Sequence, residues 1–288
     1  MSSPRLRLEG IAAKLVRLRK ALTIAMTYRA KPADGVAWVT GASSGIGRAT
    51  ALELARRGFT VAGSARSADA LDALAGEAKA LGGRIIGHPC DVTDEEAIER
   101  AVAAIELAHG PIALAFLNAG IAADWQGGRI DIGVFRETFE VNLFGILNGL
   151  AALLPRMRER RRGQIAVMAS LAGYRGLPMA APYGASKAAA IHLCESLKFD
   201  CDRLGVTIQV VNPGFVETPM TANQKFPMPF LIGVEEAARR IVDGMATGGF
   251  EIAFPRRLAW LSKFTRALPY AFYFPTLVRA TSRDRGKA

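Results

Sequence analysis

From residue 35 to residue 254 the chain alternates short apolar runs with longer amphipathic stretches, and few folds satisfy that alternation. The runs fall at 36–40, 59–64, 84–88, 112–117, 164–169, 206–211 and 250–254. Helical patterns lie between them near 46–57, 68–81, 94–109, 133–160, 182–203 and 234–246. The runs are continuously apolar rather than alternating in and out. A strand of that kind must be covered on both faces, which a parallel sheet with crossover helices on each side provides. Seven strands joined by six helices, with no linker or composition break between them, predict one domain. Its expected architecture is a doubly wound, seven-stranded parallel α/β sheet of Rossmann type with helices on both faces.

The expected boundaries are 35–255 for a catalytic domain, 1–34 for a basic amphipathic N-terminal extension, and 256–288 for a basic, aromatic-rich tail. At 288 residues, half of them hydrophobic, the chain can bury one large core and is not a disordered polypeptide. The formal charge of +11 suggests nucleic acid until it is located. Residues 1–35 hold eight Lys/Arg against two acids, and 255–288 hold eight against Asp284 alone. The body between them is near neutral, so no nucleic-acid groove is expected on the fold. The basic ends fit an anionic surface, or simply stay solvated. Cys90, Cys194 and Cys201 are too few and too scattered for a disulfide framework. His88, His109 and His192 add no ligand spacing, so a reducing, cytoplasmic compartment and no metal are expected.

The first chemistry lies in the turn Thr40-Gly41-Ala42-Ser43-Ser44-Gly45-Ile46-Gly47, which follows one strand and opens a helix. Glycines let the backbone turn sharply and approach a pyrophosphate, and the helix beyond offers free N–H groups and a positive dipole end. The spacing is G-x-x-x-G-x-G rather than the commoner G-x-G-x-x-G. A glycine turn alone can be there for backbone reasons, but strand–turn–helix context favours dinucleotide binding.

A second constellation sits downstream. Tyr183 and Lys187 are four apart and share a helix face, and Ser170 closes an apolar strand thirteen residues before Tyr183. A phenol with a pKa near ~10 is a poor base at neutral pH. A lysine ammonium one turn away favours the phenolate, as does a positive nicotinamide ring, and Ser170 is placed to hydrogen-bond a substrate oxygen.

With these motifs in order on one chain, residues 36–254 resemble the short-chain dehydrogenase/reductase family, in its compact single-domain branch. The glycine turn matches at 40–47, the acid after the third strand at Asp91-Val92, and the N-N-A-G motif at Leu117-Asn118-Ala119-Gly120, with Leu in place of the first Asn. Asn142, Ser170, Tyr183 and Lys187 match the catalytic set, and Pro213-Gly214 with Thr218 match the last motif. The resemblance implies roles. Gly41, Ser43, Ser44, Gly45, Ile46 and Gly47 would hold the pyrophosphate, and Asp91 and Val92 the adenine. Asn118 would stabilise the central strand, with Ala119 and Gly120 beside the cofactor. Pro213, Gly214, Val216 and Thr218 would bracket the nicotinamide. Asn142 would kink its helix around a water that extends a proton relay from Lys187.

Coenzyme choice is read from the end of the second strand, Gly63-Ser64-Ala65-Arg66-Ser67. The acid that holds the ribose hydroxyls of NAD is missing, and Arg66 can pair with a 2′-phosphate, helped by Ser64, Ser67 or Arg48. NADP(H) is therefore expected in preference to NAD(H).

The segments after Ser170 (Leu171, Tyr174, Leu177, Pro178, Met179) and after Thr218 (Met220, Phe226, Met228, Phe230) are apolar and expected at the active-site mouth. They suit a lipophilic carbonyl or alcohol, steroid-, retinoid- or fatty-acyl-like, unless they pack on each other or on a dimer partner. A homodimer or homotetramer through the helices near 133–160 and 182–203 is what the resemblance implies. In the N-terminal extension Ile11, Leu15, Leu18 and Leu22 form an apolar stripe among Lys14, Arg17 and Lys20. The extension also reads as a weak targeting peptide, or as residues ahead of a start at Met26 rather than Met1. The C-terminal segment mixes aromatics with Arg256, Arg257, Lys263 and Arg266. Peripheral membrane contact through either end, or a C-terminal tail folded over the mouth or a neighbouring subunit, both remain open. Two other functions also stay in view: a non-catalytic NADP(H) sensor, and a membrane adaptor built on the same fold.

Overall fold

The structure, a computed structural model, describes residues 28–122, 130–222 and 227–285. The N-terminal stripe and Phe226 lie outside the described residues, as do the side chains beyond 279. Seven strands form one parallel sheet: β1 (Val36–Thr40), β2 (Thr60–Ser64), β3 (Arg84–Gly87), β4 (Ile112–Leu117), β5 (Gly163–Met168), β6 (Val206–Pro213) and β7 (Glu251–Phe254). Their order is β3-β2-β1-β4-β5-β6-β7. The chain reverses its winding between β1 and β4, which opens a crevice at the carboxyl ends of those strands. The continuous apolar runs are explained directly: every residue of β1, β4, β5 and β6 is buried.

Alternate side chains of each strand feed two cores. Trp38, Leu117 and Ile165 pack against α3 (Glu95–His109), α5 (Gly145–Arg160) and α6 (Ala181–Leu204). Val39, Val61 and Phe116 pack against α1 (Gly45–Arg56), α2 (Ala68–Ala80) and α7 (Val234–Thr247). Helix starts follow from short polar side chains. Ser67 accepts from Ala70 N–H and opens α2, Asp94 accepts from Ala97 N–H and opens α3, and Asp131 caps α4 (Ile132–Phe139). Helix α1 differs, because Ser44 makes no side-chain cap and its first turn holds no acid.

The single helix expected over 133–160 is interrupted. α4 ends at Phe139, one π-helical turn covers Glu140–Phe144, and α5 continues from Gly145. Asn142 sits fully buried in that turn. A π turn adds a residue to the helix and redirects the turns beyond it, a device common at functional sites. The stretch Ile132–Arg160 is long and apolar enough to cross a membrane by composition. Its apolar side chains Ile146, Leu150, Leu153 and Met157 instead lie in the core beneath the sheet.

Beyond β7 the tail forms two helices, α8 (Arg256–Ala267) and α9 (Tyr270–Arg285), which return onto the chain's own loop after β5. Ala259 and Tyr273 are buried. The Tyr273 hydroxyl donates to Gly176 O at 2.6 Å. The Arg175 guanidinium donates to the carbonyls of Thr265, Arg266 and Leu268 at 2.5, 3.0 and 2.6 Å. It also lies over the rings of Tyr270 and Tyr273. A cation on the last carbonyls of α8 satisfies groups that a helix end leaves open and complements its dipole.

Candidate active site

A cleft of about 750 Å³ opens where the carboxyl ends of β1, β2, β4, β5 and β6 meet. Its floor is the glycine turn. Gly41 and Gly45 adopt φ of +66° and +52°, the left-handed region that glycine enters freely. A Cβ on Gly41 would stand 2.8 Å from Ala119 Cα, and one on Gly47 would stand 2.2 Å from Gly41 O. Asn118 locks this approach: its N–H donates to Thr40 Oγ1 at 2.9 Å, and its Nδ2 to Thr40 O at 3.0 Å. Ala119 N–H donates to Thr40 Oγ1 as well. The turn is thus held against β4 by β1's own threonine. Ser43, Ser44, Gly45 and Ile46 line the cleft in front of the uncapped start of α1. A helix start without acid or side-chain cap is suited to an anionic group, so these residues fit a pyrophosphate.

At one end the cleft is bounded by Arg66, Asp91 and Val92. Asp91 Oδ1 accepts from Thr93 N–H and Oγ1 at 2.9 Å each, which fixes the carboxylate beside the wall. Arg66 is exposed there. The helpers proposed for it are otherwise engaged. Ser64 is buried and accepts from Trp38 Nε1 at 3.0 Å, Ser67 caps α2, and Arg48 pairs with Glu77. Its position inside the strand takes the Ser64 side chain into the core.

At the other end Ser170, Tyr183 and Lys187 converge. Ser170, at the end of β5, accepts from Ala172 N–H at 3.1 Å and faces Pro213 O at 3.5 Å. Tyr183 and Lys187 descend α6 into the cleft, with Lys187 Nζ 5.7 Å from the Tyr183 ring centroid. Burial holds the Tyr183 phenol above its ordinary pKa, and hydrogen bonding with Ser170 pulls the other way. Burial also lowers the Lys187 ammonium from 10.5 to about 8, while it donates to Met168 O at 3.2 Å.

Asn142 does not line the cleft but stands behind it. Its Oδ1 accepts from Ile121 N–H at 2.7 Å, and its Nδ2 donates to Ile121 O at 2.9 Å and to Ser186 Oγ at 3.0 Å. Ser186 Oγ in turn donates to Tyr183 O at 2.7 Å. A Cβ on Gly120 would lie 3.1 Å from Asn142 Oδ1 and 3.3 Å from Lys187 Nζ, so both side chains press against that glycine. The π turn therefore ties the backbone after β4 to the helix that carries Tyr183 and Lys187. Val216 and Thr218 complete the wall beyond Pro213 and Gly214. Thr221, which sequence reasoning missed, accepts from Thr218 N–H and donates to Val216 O, holding that loop in shape. A hydroxyl three residues after Thr218 was the signal that could have found it.

Glu137 and Glu140, also missed, line the cleft from the α4 side; their i,i+3 spacing ahead of Asn142 was visible. Of the apolar mouth residues within the described chain, Met220 lines the cleft, while Leu177, Met179 and Phe230 are exposed. Tyr174 is not at the mouth. A short 3-10 turn (Leu171–Gly173) swings it beneath the loop, where its hydroxyl donates to Glu251 Oε1. Asn212 Nδ2 donates to the same oxygen at 3.0 Å, and Lys263 of α8 pairs with Glu251. Burial opposes ionisation of Glu251, yet hydrogen bonds from Lys263, Tyr174 and Asn212 keep its carboxyl below the ordinary range.

A profile of the family described as short chain dehydrogenase matches residues 35–227. An uncharacterized oxidoreductase of Myxococcus xanthus is 38% identical over 244 residues, covering 85% of this chain and 94% of that one. A putative ketoacyl reductase of Streptomyces coelicolor is 34% identical over 219 residues, covering 75% and 84%. Among solved structures, an actinorhodin polyketide ketoreductase with NADPH superposes with a TM-score of 0.72 at 28% identity, covering 80% of this chain and 99% of that one.

Proposed function

The chain belongs to the short-chain dehydrogenase family, and from that premise we propose that it is an NADP(H)-dependent oxidoreductase interconverting a lipophilic ketone or aldehyde and its alcohol. The observation that carries this reading is the meeting of Ser170, Tyr183 and Lys187 in one cleft with the glycine turn and an uncapped helix start. The catalytic unit is 35–255, with 1–34 and 256–288 as extensions. Gly41, Ser43, Ser44, Gly45, Ile46 and Gly47 hold the pyrophosphate, Asp91 and Val92 the adenine, and Arg66 the 2′-phosphate. Asn118, Ala119, Gly120, Pro213, Gly214, Val216 and Thr218 border the nicotinamide half.

A nicotinamide held beside Tyr183 would supply hydride to the carbonyl carbon, or take it from the alcohol carbon. In reduction, the Tyr183 phenol gives its proton to the carbonyl oxygen, which Ser170 Oγ also hydrogen-bonds. The phenolate left behind is the unfavourable species in a buried site. A charge on Lys187, 5.7 Å from the ring, offsets that by about 3 kcal/mol at an effective dielectric constant of about 20, equivalent to roughly two pH units. Asn142 fixes Ile121 and, through Ser186, the backbone of Tyr183, so the proton donor keeps its place. It acts by positioning.

Arg66, with no acid beside it at the end of β2, supports NADP(H) over NAD(H). Met220 in the cleft and the exposed Leu177, Met179 and Phe230 on flanking loops support a lipophilic substrate. A homodimer or homotetramer is the expected assembly, supported by the exposed aromatics Phe144, beside α5, and Phe199 on α6. Incubation with NADPH and a panel of lipophilic ketones and aldehydes tests the whole reading. Tyr183→Phe should lower kcat by more than about a hundredfold while leaving NADPH binding intact. A kcat within tenfold of wild type would mean that another group moves the proton.

A further inference from the structure

The buried sides of α8 and α9 hold them to the body through Ala259 and Tyr273, and this leaves large apolar side chains facing outward. On α8, Trp260 and Phe264 are one turn apart with Leu261 beside them; on α9, Tyr270 and Phe274 are one turn apart. All five are between 54 and 69% exposed. The Tyr270 and Phe274 rings stack with centroids 5.5 Å apart, so the apolar surface is continuous along α9 rather than scattered. Packing a helix on a sheet buries its aromatic side. Here large aromatics are left exposed on two successive helices, the arrangement of a surface that meets something else.

The charge around it says what. Arg256 and Arg257 sit one turn before Trp260 and Leu261, both exposed, and no carboxylate among the described residues pairs with either. Within 256–279 stand Arg256, Arg257, Lys263, Arg266 and Arg279 and no Asp or Glu. A second copy of the chain is a poor occupant: a two-fold contact would set this face against itself, arginine toward arginine. An anionic bilayer answers both features at once, taking aromatic rings at the headgroup–acyl boundary and arginines on its phosphates.

We propose that the outward face of α8 and α9 docks the protein on an anionic lipid surface, with Trp260 and Phe264 inserted and Arg256 and Arg257 on the lipid phosphates. The docking face is tied to the active site, because Arg175 and Tyr273 join the same two helices to the loop after Ser170 that carries Leu177 and Met179. The binding itself does not depend on the oxidoreductase reading.

The test is co-sedimentation of the full chain with phosphatidylcholine vesicles, with and without phosphatidylglycerol, at low and high salt. The expected result is binding to the phosphatidylglycerol vesicles that salt reverses. Trp260→Ser with Phe264→Ser should weaken it by at least about tenfold. Arg256→Gln with Arg257→Gln should weaken it by about thirtyfold, the equivalent of about 1 kcal/mol for each arginine. NADPH binding, followed by nucleotide fluorescence, should be unchanged in both, since none of the four residues touches the cleft. The arginine pair alters exposed side chains and tests the proposal even should the aromatic pair fail to fold. Three results overturn it. One is no binding of the full chain to anionic vesicles. A second is undiminished binding in the arginine variant, which would move the activity to another segment. The third is a fall in assembly mass for the aromatic variant without any vesicle binding, which would make the face a contact between copies.

Discussion

Lys187 is the group whose removal gives the sharpest test of the site's electrostatics. It is buried with one described hydrogen-bond acceptor, Met168 O, and burial takes its pKa from 10.5 to about 8. At about 1.4 kcal/mol for each unit of pH, keeping that ammonium charged costs the folded state about 3 kcal/mol. Lys187→Met keeps the length of the side chain, removes the charge and gives up a hydrogen bond worth about 1 kcal/mol. The nucleotide-free variant should therefore be more stable at pH 7 by about 2 kcal/mol, a rise in Tm of roughly 4–8 °C for a domain of this size. The pH dependence has a defined sign. Below about pH 8 both folded and unfolded chains carry the proton, and the full cost is present. Between about 8 and 10.5 the folded chain has released it while the unfolded chain keeps it, so wild-type stability gains on the variant as pH rises. Urea unfolding of both proteins at equal concentration, from pH 7 to about 10, reads the difference directly. A variant less stable than wild type at pH 7, or a gap that ignores pH, would refute the reasoning. Turnover should be lost in either case, because the charge that destabilises the fold is the one that favours the phenolate.

Ala65→Asp with Arg66→Ala should move preference from NADPH toward NADH by restoring the ribose-binding acid. An unchanged ratio of kcat/KM for the two coenzymes would place the 2′-phosphate elsewhere. Asn142→Ala leaves Ile121 N–H and C=O without their buried partner, and should cost about 2–5 kcal/mol in urea unfolding along with a fall in kcat. A loss under about 1 kcal/mol would show that the π turn holds without it. Light scattering at micromolar concentration should give a dimer or tetramer; a strictly monomeric mass would remove the role assigned to Phe144 and Phe199.

The sheet was legible because its strands are buried on both faces, so each announced itself as an unbroken apolar run. The boundaries at β1 and β4 fell where expected, those at β2, β3, β5 and β7 moved by one residue, and β6 ran two residues further than expected. The glycine turn and the Tyr183–Lys187 face were legible because each is a short local spacing and the two stand in order with the other motifs on one chain. What stayed hidden depends on pairings remote in sequence. Nothing near Tyr174 indicates that its hydroxyl turns to Glu251, and Ser64 shows no local sign of lying under Trp38. The π turn is invisible to a 3.6-residue period because it breaks that period once. The tail read equally well as interfacial or folded back. Arg175, whose partners lie on α8 and α9, shows that one side of it is folded back, and leaves the other side free for contact.

The loop after Ser170 has a further property when the chain is considered in the order in which it is made. Tyr174 waits for an acceptor 77 residues later, and Arg175 for carbonyls 90 to 93 residues later. The glycine turn meets Asn118, 78 residues beyond Thr40, and the last residue assigned to the cofactor is Thr218. On a ribosome every residue assigned to the cofactor has therefore been made before the loop after Ser170 has its partners. Synthesis itself thus leaves the loop beside Ser170 as the last part of the cleft's surroundings to find its partners.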